Sequence, residues 1–124
     1  MLLPLTLVAA LNATAAADSL TGPWRITGEI AGNPISTVCT FTQDGAKLAG
    51  SCVRAQAPDR KLSLTGQVQD GKVRFEYGVD VQGQALTIVY TGTFASPREL
   101  KGTVEAQPAG VTGTFTAAPA PAKP

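Results

Sequence analysis

Histidine is missing from the sequence altogether. Its absence removes the side chain that most often serves as a neutral-pH base and metal ligand, and with it most catalytic triads and zinc sites. Charge is scarce: Asp, Glu, Lys and Arg make up 15% of residues, and ten cations against nine anions leave a formal net charge of +1. So weak a field gathers neither nucleic acid nor anionic lipid. The basic cluster of Arg54 with Arg60-Lys61 has Asp59 inside it and no stacking aromatic beside it, which argues against a single-stranded nucleic acid. With two cysteines there is no C-x-x-C motif, and so no redox or metal signature. Paired-carboxylate hydrolysis needs two carboxyl groups about 5 to 10 Å apart. Here Asp44, Asp59 and Asp70 fall in turn segments, Asp80 lies near a turn, and Glu76 and Glu105 fall on the polar face of their segments. Ser36, Ser51 and Ser63 lack a base to activate them. The expectation is a non-enzymatic chain without catalytic residues, cofactor or metal.

No apolar run reaches the roughly 20 residues of a membrane-spanning helix. The run at Met1–Leu11 is uncharged and is followed by small residues, with Ala15-Ala16-Ala17 ahead of Asp18. That pattern predicts a signal peptide over 1–17 and export to the periplasm or beyond the cell. Residues 118–124, rich in Ala and Pro, offer nothing large to bury and are expected to form a disordered tail. A single domain over 18–117 remains, about the size that one modest core supports.

Within that domain apolar and polar residues alternate, and turn residues recur about every 10 to 12 positions, as in an all-β sandwich or barrel. Strands are expected at Trp24–Ile30, Ile35–Thr42, Leu48–Arg54, Leu62–Gln69, Lys72–Val81, Ala85–Phe94, Leu100–Gln107 and Val111–Thr116. The short connections, such as Asn33-Pro34, Pro58-Asp59 and Asp70-Gly71, make neighbours of consecutive strands. The expected fold is therefore all-β, an eight-stranded antiparallel up-and-down barrel, which leaves no exposed sheet edge.

Several strands carry a large residue, a spacer and then glycine, as in Leu48-Ala49-Gly50, Leu64-Thr65-Gly66 and Leu100-Lys101-Gly102. Alternation puts each glycine on the apolar face. Pairing through the turns sets Phe41 opposite Gly50, Gly66 opposite Phe75, and Gly102 opposite Phe115, so that a ring covers each bare position and the sheet bends sharply. The same register sets Cys39 opposite Cys52, predicting a disulfide within the hairpin, which suits an exported chain. The apolar face is expected to point inward, because the strands are short for a lipid-spanning barrel and aromatics are 6% of residues. A small outer-membrane barrel is the remaining alternative.

The stretch Ser19–Val53 resembles the opening of the avidin family: Leu20-Thr21-Gly22 and Trp24 on a first strand, then a hairpin ending in Leu48-Ala49-Gly50. Phe41–Gly50 also resembles the hairpins of exported bacterial barrel domains. The resemblance implies a calycin-type, lipocalin-like barrel. It does not imply a biotin site, because the family's ligand-binding asparagine corresponds to Ile26 and its serine loop to Ile30–Pro34. A fainter likeness, to small periplasmic inhibitors of metalloproteases, stops at the segment ahead of Gly22, which is shorter than their inhibitory arm.

An eight-stranded barrel is filled by side chains or holds one small ligand. A filled interior, with the glycines making room for Trp24 and the phenylalanines, is the first expectation. The alternative is an end lined by Trp24, Tyr77 and Tyr90 that accepts a small apolar ligand, with Arg54 at its rim as a polar anchor. A solid barrel would instead offer its Thr-rich wall, or the segments around Asn33 and Pro58, to a protein partner, as an inhibitor of a hydrolase would.

Overall fold

A computed structural model describes residues 19–120; the expected signal peptide and residues 121–124 lie outside the described residues. The eight strands are β1 (Gly22–Ile30), β2 (Asn33–Asp44), β3 (Lys47–Arg54), β4 (Ala57–Gln69), β5 (Lys72–Val81), β6 (Gln84–Ser96), β7 (Glu99–Gln107) and β8 (Val111–Pro119). Each pairs antiparallel with the next, and β8 returns to β1, closing an up-and-down barrel. Three of the hairpins turn on two residues with positive φ, Ala31-Gly32, Asp70-Gly71 and Gln82-Gly83, the conformation whose twist matches that of the flanking strands. The β1–β2 turn, Ala31-Gly32, and the β3–β4 turn, Ala55-Gln56, each end two residues before a proline. Asn33 and Pro34, expected in a connection, begin β2, and Pro58-Asp59 fall inside β4.

The apolar set is inside. Phe41, Phe75 and Phe115 are 1%, 1% and 3% exposed, whereas Thr40, Thr42, Thr91, Thr93, Thr103, Thr114 and Thr116 face outward. Phe41 pairs with Gly50, Phe75 with Gly66 and Phe115 with Gly102. At Gly50, φ is +148° and a Cβ would collide with the Thr40 carbonyl oxygen; a side chain is excluded there on both counts. At Gly102 a Cβ would meet the Thr91 carbonyl in the same way. Between such bare positions the rings gather into one cluster. Phe75 stacks on Tyr90 at 4.7 Å and meets Phe41 edge-on at 5.0 Å, while Tyr90 meets Phe115 edge-on at 5.1 Å. Cys39 and Cys52 are joined by a disulfide and are both fully buried.

One end of the barrel is sealed. The segment before β1 folds across it and inserts Leu20, which has no exposed surface. Its backbone N–H donates to Gln43 Oε1 at 2.9 Å, and its carbonyl accepts from the Trp24 indole N–H at 3.0 Å. The C-terminal boundary needs correction at the same end. Ala118 and Pro119, expected in a disordered tail, continue β8. Ala117 is buried opposite both Ile26 and Leu100, and the Ala120 N–H donates to the Pro23 carbonyl at 2.9 Å. Pro119 ends the strand, a position that tolerates a missing N–H.

Candidate functional site

The other end is open. A cavity of about 330 Å³ enters the barrel between the β1–β2, β3–β4, β5–β6 and β7–β8 connections. Its upper walls are apolar: Ile30 and Ile35 on one side, and Val79, Leu86, Ile88 and Val111 on the others. Leu86 and Ile88 are only half-buried although alternation points them inward, because the barrel axis beside them is empty. Filling therefore stops at the aromatic cluster, and the expectation of a wholly packed interior holds for one half of the molecule.

The floor of the cavity is polar. Tyr90 belongs to the aromatic cluster through its ring, and its hydroxyl meets that of Tyr77 at 2.6 Å. The two phenols are 1% and 4% exposed. Burial raises both above the ordinary tyrosine value, Tyr90 strongly; the Tyr90 and Thr37 hydroxyls and the Arg54 charge oppose this at Tyr77 without cancelling it. Both phenols are therefore neutral hydrogen-bonding groups at ordinary pH. Thr37, 3% exposed, is a buried polar side chain on the inward face of β2 between Ile35 and Cys39. Directly opposite it on β3 stands Arg54, half-buried and lining the cavity.

The wall beside Arg54 is incomplete. Between the pairs Cys52–Leu62 and Arg54–Ala57, a single β3 residue faces four of β4, so Pro58–Lys61 bulges away from the sheet. β4 pairs with β5 no further than Leu64–Tyr77, while β5 runs on with β6 as far as Val81–Gln84. A lateral groove occupies the space so left, lined by Arg54, Arg60, Leu62 and Asp80 among others, and it shares Arg54, Val79 and Leu86 with the end cavity.

Known proteins supply the architecture. No protein-family model and no curated protein sequence matches the chain. Among solved structures it is similar to a redesigned β-barrel, b11L5F_LGL, with a TM-score of 0.67 and 18% identity over 86% of this chain and 96% of that one. It is also similar to the redesigned barrel mFAP1 bound to DFHBI (TM-score 0.57, 16% identity, 83% and 97% covered) and to EF1p2_mFAP2b bound to DFHBI (0.60, 13%, 86% and 96%). At these identities the likeness shows the fold alone.

Of the four residues expected at an open end, the structure brings together Tyr77, Tyr90 and Arg54, with Arg54 opposite the buried Thr37 at depth rather than at the rim. Trp24 requires correction: it lies at the sealed end, paired with Cys39 and Pro119, 3% exposed, its indole N–H already bonded to Leu20. Alternation had placed its side chain inside without saying at which depth. Thr37 escaped notice although its signal was present, a hydroxyl at an inward position in the run Ile35, Thr37, Cys39, Phe41.

Proposed function

We propose that this chain is an exported, non-catalytic binding protein whose open half takes up one compact, largely apolar small molecule. The observation that carries the reading is the 330 Å³ cavity itself, walled by aliphatic side chains and floored by Thr37, Tyr77 and Tyr90. Apolar walls with a few convergent polar groups are the usual make-up of a small-molecule site, and this volume is at the small end of the range. The two similar structures that hold DFHBI support the same use of the fold. The Cys39–Cys52 disulfide supports an oxidising compartment, the periplasm or the extracellular space. The calycin-type likeness, with the avidin-like opening at Leu20–Trp24, fits a barrel that presents ligands at one end.

Decanol tests the reading, as a neutral probe with a polar end. Titrated into the isotopically labelled protein, it should move the backbone amide resonances of Ile35, Thr37, Val79 and Ile88 while leaving those of Ile26, Leu48 and Leu100 in place. Shifts scattered over the outer wall, or none at all up to the solubility of decanol, would overturn it.

A further inference from the structure

The cavity contains a charge that the protein does not answer. Arg54 Nε is shut off from solvent and has no hydrogen-bond partner. Among the described residues the recorded ion pair is Arg74–Glu76 on the outer wall, and no carboxylate pairs with Arg54. A guanidinium is always protonated, presents five N–H donors and accepts nothing. Holding one half-buried beside neutral phenols and aliphatic side chains costs free energy unless an acceptor arrives. The neighbouring Thr37 and Tyr77 hydroxyls are able to share hydrogen bonds with an anion but not to neutralise the cation. Arg60 and Asp80 face the lateral groove, where both are exposed to water.

The distribution of polarity along the barrel axis sets a direction. Arg54, Thr37 and the tyrosine pair lie at depth, whereas the rim carries Ile30, Ile35, Leu86, Val111 and Val81, the last 44% exposed. A polar floor under an apolar rim suits a molecule that enters with its polar end first. Taking the ~30 Å³ share of a water as a gauge of one non-hydrogen group, the cavity holds roughly ten such groups.

Resting on the binding reading above, we infer that the ligand is an amphipathic monocarboxylate of about ten non-hydrogen groups. Its carboxylate engages the Arg54 guanidinium at the cavity floor, and its apolar body points to the rim. Arg54 supplies the fork of N–H donors that matches two carboxylate oxygens, and Thr37 and Tyr77 stand beside it for the remaining lone pairs. The gap between the β4 bulge and β5 lets Arg54 also line the lateral groove.

Three probes with the same chain decide the matter: decanoate, decanol and decyltrimethylammonium, titrated calorimetrically at pH 7. Decanoate should bind at least tenfold more tightly than decanol, and decyltrimethylammonium no more tightly than decanol. Arg54→Gln should cancel the preference and bring decanoate and decanol affinities together, while Arg54→Lys, which keeps the charge without the fork, should retain part of it. Amide spectra of both variants establish that they fold. Contacts from the decanoate terminal methyl to Val81 and Val111, rather than to Tyr77, should report the head-in orientation. Equal affinities for decanoate and decanol, a preference that survives Arg54→Gln, or a terminal methyl against Tyr77 would each overturn the inference while leaving an apolar cavity in place. Failure of all three probes to bind would overturn the binding reading with it.

Discussion

The two halves of this barrel are made by the same eight strands and finished in opposite ways. Toward the chain termini, Leu20, Trp24, Phe41, Phe75, Phe115 and Leu100 leave almost no exposed surface, and the buried indole N–H has its acceptor. Toward the other end the side chains are shorter, several are half-buried, and a buried guanidinium nitrogen has none. The glycines explain how one sheet serves both. Gly50, Gly66 and Gly102 let the sheet bend under the phenylalanine rings, so the sealed half reaches close packing with few residues. The open half stands on that packed base and forgoes part of its own packing for a shaped space. Under the proposed function, stability and binding fall to different ends, which eases the usual conflict between them.

The sharpest way to break this division is to truncate one side chain in each half. Phe75 touches Phe41, Tyr90 and Phe115 and is 1% exposed. Phe75→Ala should therefore cost about 3–5 kcal/mol in denaturant unfolding. Ile88 borders space that is already empty, so Ile88→Ala should cost less than the usual buried aliphatic truncation, about 1 kcal/mol. Equal losses would mean that both halves carry the fold and that the cavity residues are packed in solution.

The division also marks what was legible before the structure. Pairings inside a hairpin were, because a turn fixes register: the one that sets Phe41 against Gly50 necessarily sets Cys39 against Cys52. Parity placed Trp24, Tyr77, Tyr90 and Arg54 inside, since period-two alternation depends only on neighbours. Depth was not legible, because it depends on how the first and last strands meet and on Leu20, a single residue in a segment with no period of its own. The β4 bulge was hidden for a related reason. Pro58-Asp59 looks like a turn, and only the pairing of Ala57 with Arg54 shows that the chain has already turned. The small residues Ala117–Pro119 carry no period of large side chains, and only their pairing with β1 shows that they continue the last strand.

A second test sets the phenols of the open half against pH. The chain has two tyrosines, both at the cavity floor, so phenolate absorbance near 295 nm reports on them alone. Burial raises both above the ordinary tyrosine value of about 10. The unfolded chain then releases its phenol protons first as pH rises, so the stability these groups contribute is present in full below pH 10 and is lost above it. The slope should reach up to about 1.4 kcal/mol per pH unit per tyrosine. The native protein should show no phenolate absorbance until it unfolds, and absorbance and circular dichroism should change together. Ionisation at pH 10 of a protein that remains folded would show the floor to be wet and Tyr77 reachable by solvent.

The smallest expected effect bears on the unanswered charge. If Arg54 is kept for a ligand, its removal should not harm the empty protein. Arg54→Leu retains much of the apolar stem that lines the cavity and deletes a charge without a protein partner. The variant without ligand should be as stable as the parent or more so, by less than about 1 kcal/mol, because no opposite charge is orphaned by the change. Matched denaturant curves of the two proteins, extracted and refolded to strip any copurifying molecule, give the comparison. A loss of 2 kcal/mol or more would mean that the guanidinium has a structural partner in solution, and the open half would then be bonded as completely as the sealed one.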